Sequence, residues 1–200
     1  MKKVLAFAMA LAMVFSMAGC GNGSNSGSTN SGGDEVETLK IGVVCPISGV
    51  SAIAGKYITN GVEVVENELG GKIDIKGKEY NIEFIYMDNE ASEEKTTNVF
   101  QKLIEEEKVI AIVGPDMSKC ALAAGPIAQN AKCPIVTTFA TNTAVTEVGD
   151  YIFRACFIDP FQGQMAAQYI WESGYETASI MFNNADAYAT GLKDAFIESY

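Results

Sequence analysis

Val109-Ile110-Ala111-Ile112-Val113-Gly114-Pro115-Asp116-Met117-Ser118 is the stretch that decides the fold class. Its five leading residues are apolar, four of them are β-branched, and the run stops at Gly-Pro. A short continuous apolar run closed by a turn signal reads as a strand buried on both faces. A helix rich in small residues follows over 118–131, where Ala and Gly permit close packing. A strand feeding through a tight turn into a helix is half of a βαβ unit.

The pattern repeats outward in both directions. Upstream, residues 39–45 are β-rich and stop at Pro46, and residues 54–69 place Ile58, Val62, Val65 and Leu69 on one helical face before the C-cap glycines Gly70-Gly71. A strand over 82–87 closes at Asp88-Asn89, which read as turn formers. Ser92 then reads as an N-cap with Glu93 and Glu94 in the first turn, ahead of a buried stripe of Thr96, Val99, Phe100, Leu103 and Ile104. Glu105-Glu106-Glu107 reads as a solvated face against the helix dipole. Downstream come strands over 134–138 and 151–154, a helix over 161–171, a strand over 178–182 and a helix from 189. The expected architecture is α/β: a parallel sheet with helices on both faces and right-handed crossovers.

The amino-terminal end is of another kind. Lys2-Lys3, an apolar stretch from Val4 to Phe15 and Ser16-Met17-Ala18-Gly19-Cys20 have the parts of a secretory signal. Cys directly after Ala-Gly resembles a bacterial lipobox, which implies an acylated Cys20 at the mature terminus; Met17 stands where that pattern prefers Leu. The Gly-, Ser- and Asn-rich residues 21–33 lack apolar side chains and read as part of a flexible tether extending to 38.

Composition removes several classes of function. The net charge of −11 opposes nucleic acid or anionic lipid as a partner. The absence of His excludes His-based triads, His metal sites and His acid–base steps. Cys45, Cys120, Cys133 and Cys156 form no C-x-x-C pair and sit in or beside apolar runs, so they read as buried thiols, with disulfides the alternative for an exported protein. No G-x-G-x-x-G, P-loop or G-x-S-x-G follows any strand. The expectation is a protein that binds without reacting, with no metal or cofactor.

Ligands of open α/β sheets bind outside the carboxyl ends of the strands. Here those ends are Pro46-Ile47-Ser48-Gly49, Asp88-Asn89, Gly114 to Ser118 and Thr137-Thr138-Phe139-Ala140-Thr141-Asn142. Small and hydroxylated residues beside helix N-termini suit a carboxylate.

In order and spacing, Ile41-Gly42-Val43-Val44-Cys45-Pro46-Ile47-Ser48-Gly49, Gly55, Gly61-Val62, Gly70-Gly71, Val113-Gly114-Pro115, Ala140-Thr141-Asn142, Gly149 to Arg154 and Asp159-Pro160-Phe161-Gln162-Gly163 resemble the branched-chain amino-acid type of periplasmic solute-binding protein. The likeness runs from Leu39 to Tyr200. It implies the type I periplasmic-binding fold, with a first ligand-binding lobe over 39–157 and the truncated beginning of a second over 158–200. It also implies a lipid-anchored protein on the outer face of the cell membrane that captures an amino acid and delivers it to an ABC permease. A ligand-sensing receptor of the same fold, or a binder of short amides or urea, is the alternative.

By the same resemblance Ser118 and Thr141 bond the ligand carboxylate, the carbonyl of Phe139 or Ala140 takes the ammonium, and Tyr188 closes over the ligand. Read from the residues alone, Ser118 also suits an N-cap, Thr141 a turn and Tyr188 half-buried packing. The small residue at Ala54, where some relatives carry an aromatic, leaves the side-chain preference open. Ile47, Met117 and Phe139 are candidates to shape an apolar pocket. The acidic partner of the ammonium is expected beyond Tyr200, and the chain to be a fragment.

Overall fold

The computed structural model describes residues 36–200; the signal, Cys20 and the tether as far as residue 35 lie outside the described residues. Six strands form one sheet: β1 (Thr38–Cys45), β2 (Lys72–Ile75), β3 (Lys78–Asp88), β4 (Ala111–Val113), β5 (Ile135–Thr137) and β6 (Ile152–Arg154), in the spatial order β2-β3-β1-β4-β5-β6. Every pairing is parallel except that of β2 with β3. The helices are α1 (Ala52–Leu69), α2 (Glu93–Glu105), α3 (Ser118–Ala131), the short α4 (Ala144–Glu147), α5 (Asp159–Glu172) and α6 (Ala187–Ser199).

The antiparallel edge strand β2 is a departure from the expected all-parallel sheet. Lys76 and Gly77 both have positive φ (55° and 82°), and the Asp74 carboxylate accepts from the Gly77 N–H at 2.9 Å. Two left-handed residues between strands make a tight hairpin whose twist matches its flanks. A Lys in the first of these positions hid the signal. The last residues assigned to the tether are also part of the sheet's edge: Glu37 pairs with Lys78, and the Val36 carbonyl accepts from Asn81 Nδ2.

Adjacent residues of a strand face opposite ways, so β1 divides the core in two. Val44 faces α2 and α3 with Phe100, Leu103, Ile112, Ala121, Ala124 and Ile135; Val43 and Cys45 face α1 with Ile58 and Val62. On the α2 side Gly42 leaves room for Leu103: a Cβ there would stand 2.8 Å from its Cδ1. Helix α3 packs closely through Ala121, Ala124, Gly125 and Ala128, as its small residues led one to expect. Ser92 caps α2 by accepting from the Lys95 N–H, and Gly70 ends α1 at φ 60°. Glu107, read as merely solvated, pairs with Lys40 at 3.3 Å.

The two faces are unequally covered. Gly42, Ile112, Ile135 and Ile152 are directly opposite one another, and the three isoleucines are buried beneath the α2–α3 layer. The next row is Val43, Val113, Val136 and Phe153; α1 buries Val43 fully, but Val136 is 41 % exposed and Phe153 51 %. The expectation that residues 109–113 are buried on both sides therefore holds on one side only. Helix α1 covers β1 and β3 and does not reach β5 or β6; for the same reason Val65 of the predicted stripe is exposed.

The strand expected over 178–182 is absent: these residues take no regular form, since no described strand lies beside them to complete a ladder. The four cysteines are free, three of them buried and Cys156 half-buried. Burial first, then the carboxylates of Asp116 and Asp88, pushes the Cys45 thiol up to about 11, so it behaves as a small apolar group.

The covering sets a mutational contrast. Ile152→Ala is expected to cost about 2–4 kcal/mol, whereas Phe153→Ala on the open row costs under about 1 kcal/mol. Urea denaturation of both variants checks this, and equal losses would show that something covers the open row in solution.

Candidate ligand-binding site

The carboxyl ends of β1, β3, β4 and β5 meet along one edge. At its β3 end, the Asp88 carboxylate accepts from the Ile47 N–H at 2.9 Å, the Ser48 hydroxyl at 2.5 Å and the Glu90 N–H at 2.9 Å. Burial works to raise its pKa, but these donors, the Ser48 hydroxyl foremost, together hold it below the usual carboxylate value. Asn89 is fully buried, donates to Thr96 Oγ1 and accepts from the Ala91 N–H. Both residues are occupied in shaping the loops.

The β4 end leads through Gly114 into α3. Gly114 has φ 111°, and a Cβ on it would stand 2.1 Å from the Val44 carbonyl oxygen, so only glycine lets the chain pass β1 here. The N-cap position of α3 is Met117, which makes no side-chain cap. Ser118 is therefore not a cap. Its hydroxyl oxygen accepts from the Asn142 N–H at 3.3 Å, which joins the start of α3 to the segment after β5 and leaves the hydroxyl proton free to donate. Ser118 is 3 % exposed.

That second segment, residues 138–143, is held by its carbonyls. Arg154 Nη1 donates to Ala140 O at 3.0 Å and to Asn142 O at 2.7 Å; Nη2 donates to Thr143 O at 3.5 Å and to Thr146 Oγ1 at 2.8 Å. The Asp159 N–H donates to Thr141 O at 3.0 Å. Of the two carbonyls considered for an ammonium, that of Ala140 is thus engaged, while no donor among the described residues reaches that of Phe139. The hydroxyls of Thr137, Thr138 and Thr141 are buried without a hydrogen-bonded partner among the described residues.

Two carboxylates are buried near the edge, Asp159 beside this segment and Asp116 at the start of α3 beside Asn89. Asp159 is 2 % exposed and neither of its oxygens has a well-formed hydrogen bond. Burial raises its pKa, opposed by the nearby Thr141 hydroxyl and the Arg154 guanidinium. Burial likewise raises Asp116, opposed by its own N–H and that of Met117, by the Asn89 side chain and by Lys119.

The expected site residues fall into two groups. Ser118, Ala140 and Thr141 come together at the sheet edge through the Asn142 bond. Phe139 lies beside them but is half exposed, lining a cavity of about 400 Å³ on the α1 face with Tyr57, Val62, Val65, Phe84 and Val113. Tyr188 belongs elsewhere: it lines a cavity of about 560 Å³ between α5 and α6, and its hydroxyl accepts from Gln162 Nε2 at 3.0 Å. Its neighbour Ala187 is the residue that touches the segment, accepting from Asn142 Nδ2 at 2.8 Å. Nothing local in the sequence assigns a role to Asn142, Arg154 or Asp159; the one signal for Arg154 is that it is the single arginine among 14 basic residues.

The raised carboxylates predict a pH dependence. A carboxyl whose folded pKa lies above its unfolded one disfavours the fold when ionised, so stability rises as pH falls through the folded pKa toward the unfolded pKa. Asp159→Asn is accordingly expected to raise the melting temperature at neutral pH and to flatten its rise on mild acidification. Thermal unfolding across pH checks this; a lower melting temperature at neutral pH would show Asp159 to be paired in solution.

Comparison with known proteins gives the family and the fold. The family described as periplasmic binding protein matches residues 38–200. An amino acid binding protein of Pseudomonas aeruginosa is 28 % identical over 78 % of this chain and 41 % of its own length. The crystal structure of the branched-chain amino acid transporter substrate binding protein LivJ from Streptococcus pneumoniae, in complex with isoleucine, superposes with a TM-score of 0.74 at 32 % identity, covering 82 % of this chain and 47 % of that one. A solute binding protein of an ABC transporter from R. palustris, in complex with 4-hydroxybenzoate, gives 0.74 at 27 % identity, covering 82 % and 43 %. The chain spans less than half the length of each of these relatives. With the matched region taking in nearly all of the described residues, the chain belongs to the periplasmic binding protein family and carries its type I α/β fold.

Proposed function

We propose that this chain is the ligand-capturing part of an extracytoplasmic, Cys20-anchored substrate-binding lipoprotein that takes up an amino acid, branched-chain or similar, for an ABC importer. The observation that carries the reading is the polarity of the sheet edge. The Ser118 hydroxyl and the first N–H groups of α3 face a carboxylate as donors, and the unbonded Phe139 carbonyl lies one residue before Ala140 as an acceptor for an ammonium. A zwitterion needs partners of both kinds, and the start of α3 and the segment after β5, joined by the Ser118–Asn142 bond, offer them. Thr141, with its hydroxyl unbonded, serves either group.

Residues 39–157 form the first lobe in this reading and 158–200 begin the second. Ligand binds the first lobe and biases a hinge toward the closed form that the permease engages. Tyr188, whose hydroxyl accepts from Gln162 and whose neighbour Ala187 accepts from Asn142, contributes in this reading to the closed form. No helix among the described residues is long and apolar enough to cross a membrane.

A second reading has an observation behind it: the R. palustris relative holds 4-hydroxybenzoate, a carboxylate without an ammonium. The donors at Ser118 and α3 suit both classes, and the Phe139 carbonyl suits only the amino acid.

A thermal-shift screen separates them. The 200-residue chain, and a version continued through any downstream reading frame, are screened against L-leucine, L-isoleucine, L-valine, 4-hydroxybenzoate, short amides and urea. A ligand at about 100 times its dissociation constant stabilises by about 2.7 kcal/mol. Ser118→Ala and Thr141→Val are expected to weaken the binding roughly tenfold to a hundredfold, the usual worth of a hydrogen bond to a charged group. A shift with 4-hydroxybenzoate and none with any amino acid overturns the first reading in favour of the second.

A further inference from the structure

We propose that Arg154 is the positioning residue of the binding segment: its guanidinium ties the carbonyls that follow Phe139 and so leaves the Phe139 carbonyl turned to the ligand. This rests on the reading that residues 139–141 meet the ligand. The guanidinium engages four acceptors, Ala140 O, Asn142 O, Thr143 O and Thr146 Oγ1. With the Asp159 N–H on Thr141 O, every carbonyl from Ala140 to Thr143 has a donor. Three successive tied carbonyls after Ala140 fix the direction of each peptide plane, and the plane between Phe139 and Ala140 is the first one left without a donor.

The residue type is part of the argument. A guanidinium offers five N–H donors in a rigid planar fork, whereas an ammonium is a point with three donors at one atom. Lysine reaches one or two of these acceptors, not four spread over Ala140 to Thr146. The chain carries one arginine among 14 basic residues, and it stands at this position. Among the described residues Arg154 forms no ion pair with a carboxylate at bonding distance; Asp159 is near enough to feel its charge but not bonded to it. The guanidinium therefore acts on the backbone of the segment, and it does so from β6, a strand of the sheet.

The role differs from general support of the fold in what it predicts. Arg154→Lys keeps the charge and loses the fork. Amide hydrogen exchange in the ligand-free protein is expected to quicken about tenfold or more over residues 140–146, with α2 unchanged. Affinity for L-leucine is expected to fall about tenfold in the Lys variant, and affinity for 4-methylpentanoate, the same side chain and carboxylate without the ammonium, by under about threefold. Thr146→Ala, which removes one of the four acceptors and leaves Arg154 in place, is expected to act in the same direction and more weakly. Unchanged exchange over 140–146, quickened exchange in α2 to the same extent, or equal losses for the two ligands overturns the assignment. If the unsubstituted protein binds neither ligand, the amino-acid reading falls, and the exchange comparison alone decides the role of Arg154.

Discussion

The passage of β4 over the backbone of β1 at Gly114 is the constraint on which the arrangement of the edge depends. A parallel sheet has no hairpins to set the register of its central strands, so the register rests on contacts between backbones distant in sequence. Here a Cβ at residue 114 would stand 2.1 Å from the Val44 carbonyl oxygen, and the Gly114 N–H donates to Val136 O at 2.8 Å. The glycine thus touches β1 on one side and β5 on the other. It brings the three strand ends level, and with them the start of α3 and the segment after β5. A side chain there would push the two halves of the edge apart.

From that point the site is assembled by two kinds of tie. The Ser118 hydroxyl oxygen accepts from the Asn142 N–H across the gap between α3 and the β5 segment, and Arg154 and the Asp159 N–H donate to the segment's carbonyls. The hydroxyls of Thr137, Thr138 and Thr141 are left without partners among the described residues in a buried setting, a cost that binding sites accept and cores do not. Asp116 and Asp159 add buried carboxylates, each resisting ionisation through burial. Stability is thereby given up where the ligand is expected to sit, while the apolar row of Ile112, Ile135 and Ile152 beneath it is fully packed.

The unequal covering of the sheet belongs to the same picture. Alternate residues of one strand meet opposite fates: Ile135 is buried and Val136 is 41 % exposed, Ile152 is 3 % exposed and Phe153 51 %. Both members of each pair are apolar, as they are in sheets covered on both faces. The open row lies over β5 and β6, on the face that α1 does not reach.

Local signals in the sequence determined the succession of strands and helices, the Ser92 cap, the Gly70 stop, the small-residue face of α3 and the edge at which polar residues gather. These depend on interactions within a few residues, and periodicity and turn chemistry report them directly. The β2 hairpin escaped because Lys76 adopts a left-handed turn without the usual Gly or Asn, and the strand over 178–182 failed because a strand exists only beside a partner. Only the tertiary structure decided that Ser118 binds Asn142 instead of capping α3, that Arg154 engages the Ala140 carbonyl and leaves that of Phe139 unbonded, and that Tyr188 faces Gln162. Each of these joins residues 14 or more apart in the chain; a hydroxyl or a carbonyl has many suitable partners in the sequence, and packing alone selects which one comes within 3.5 Å.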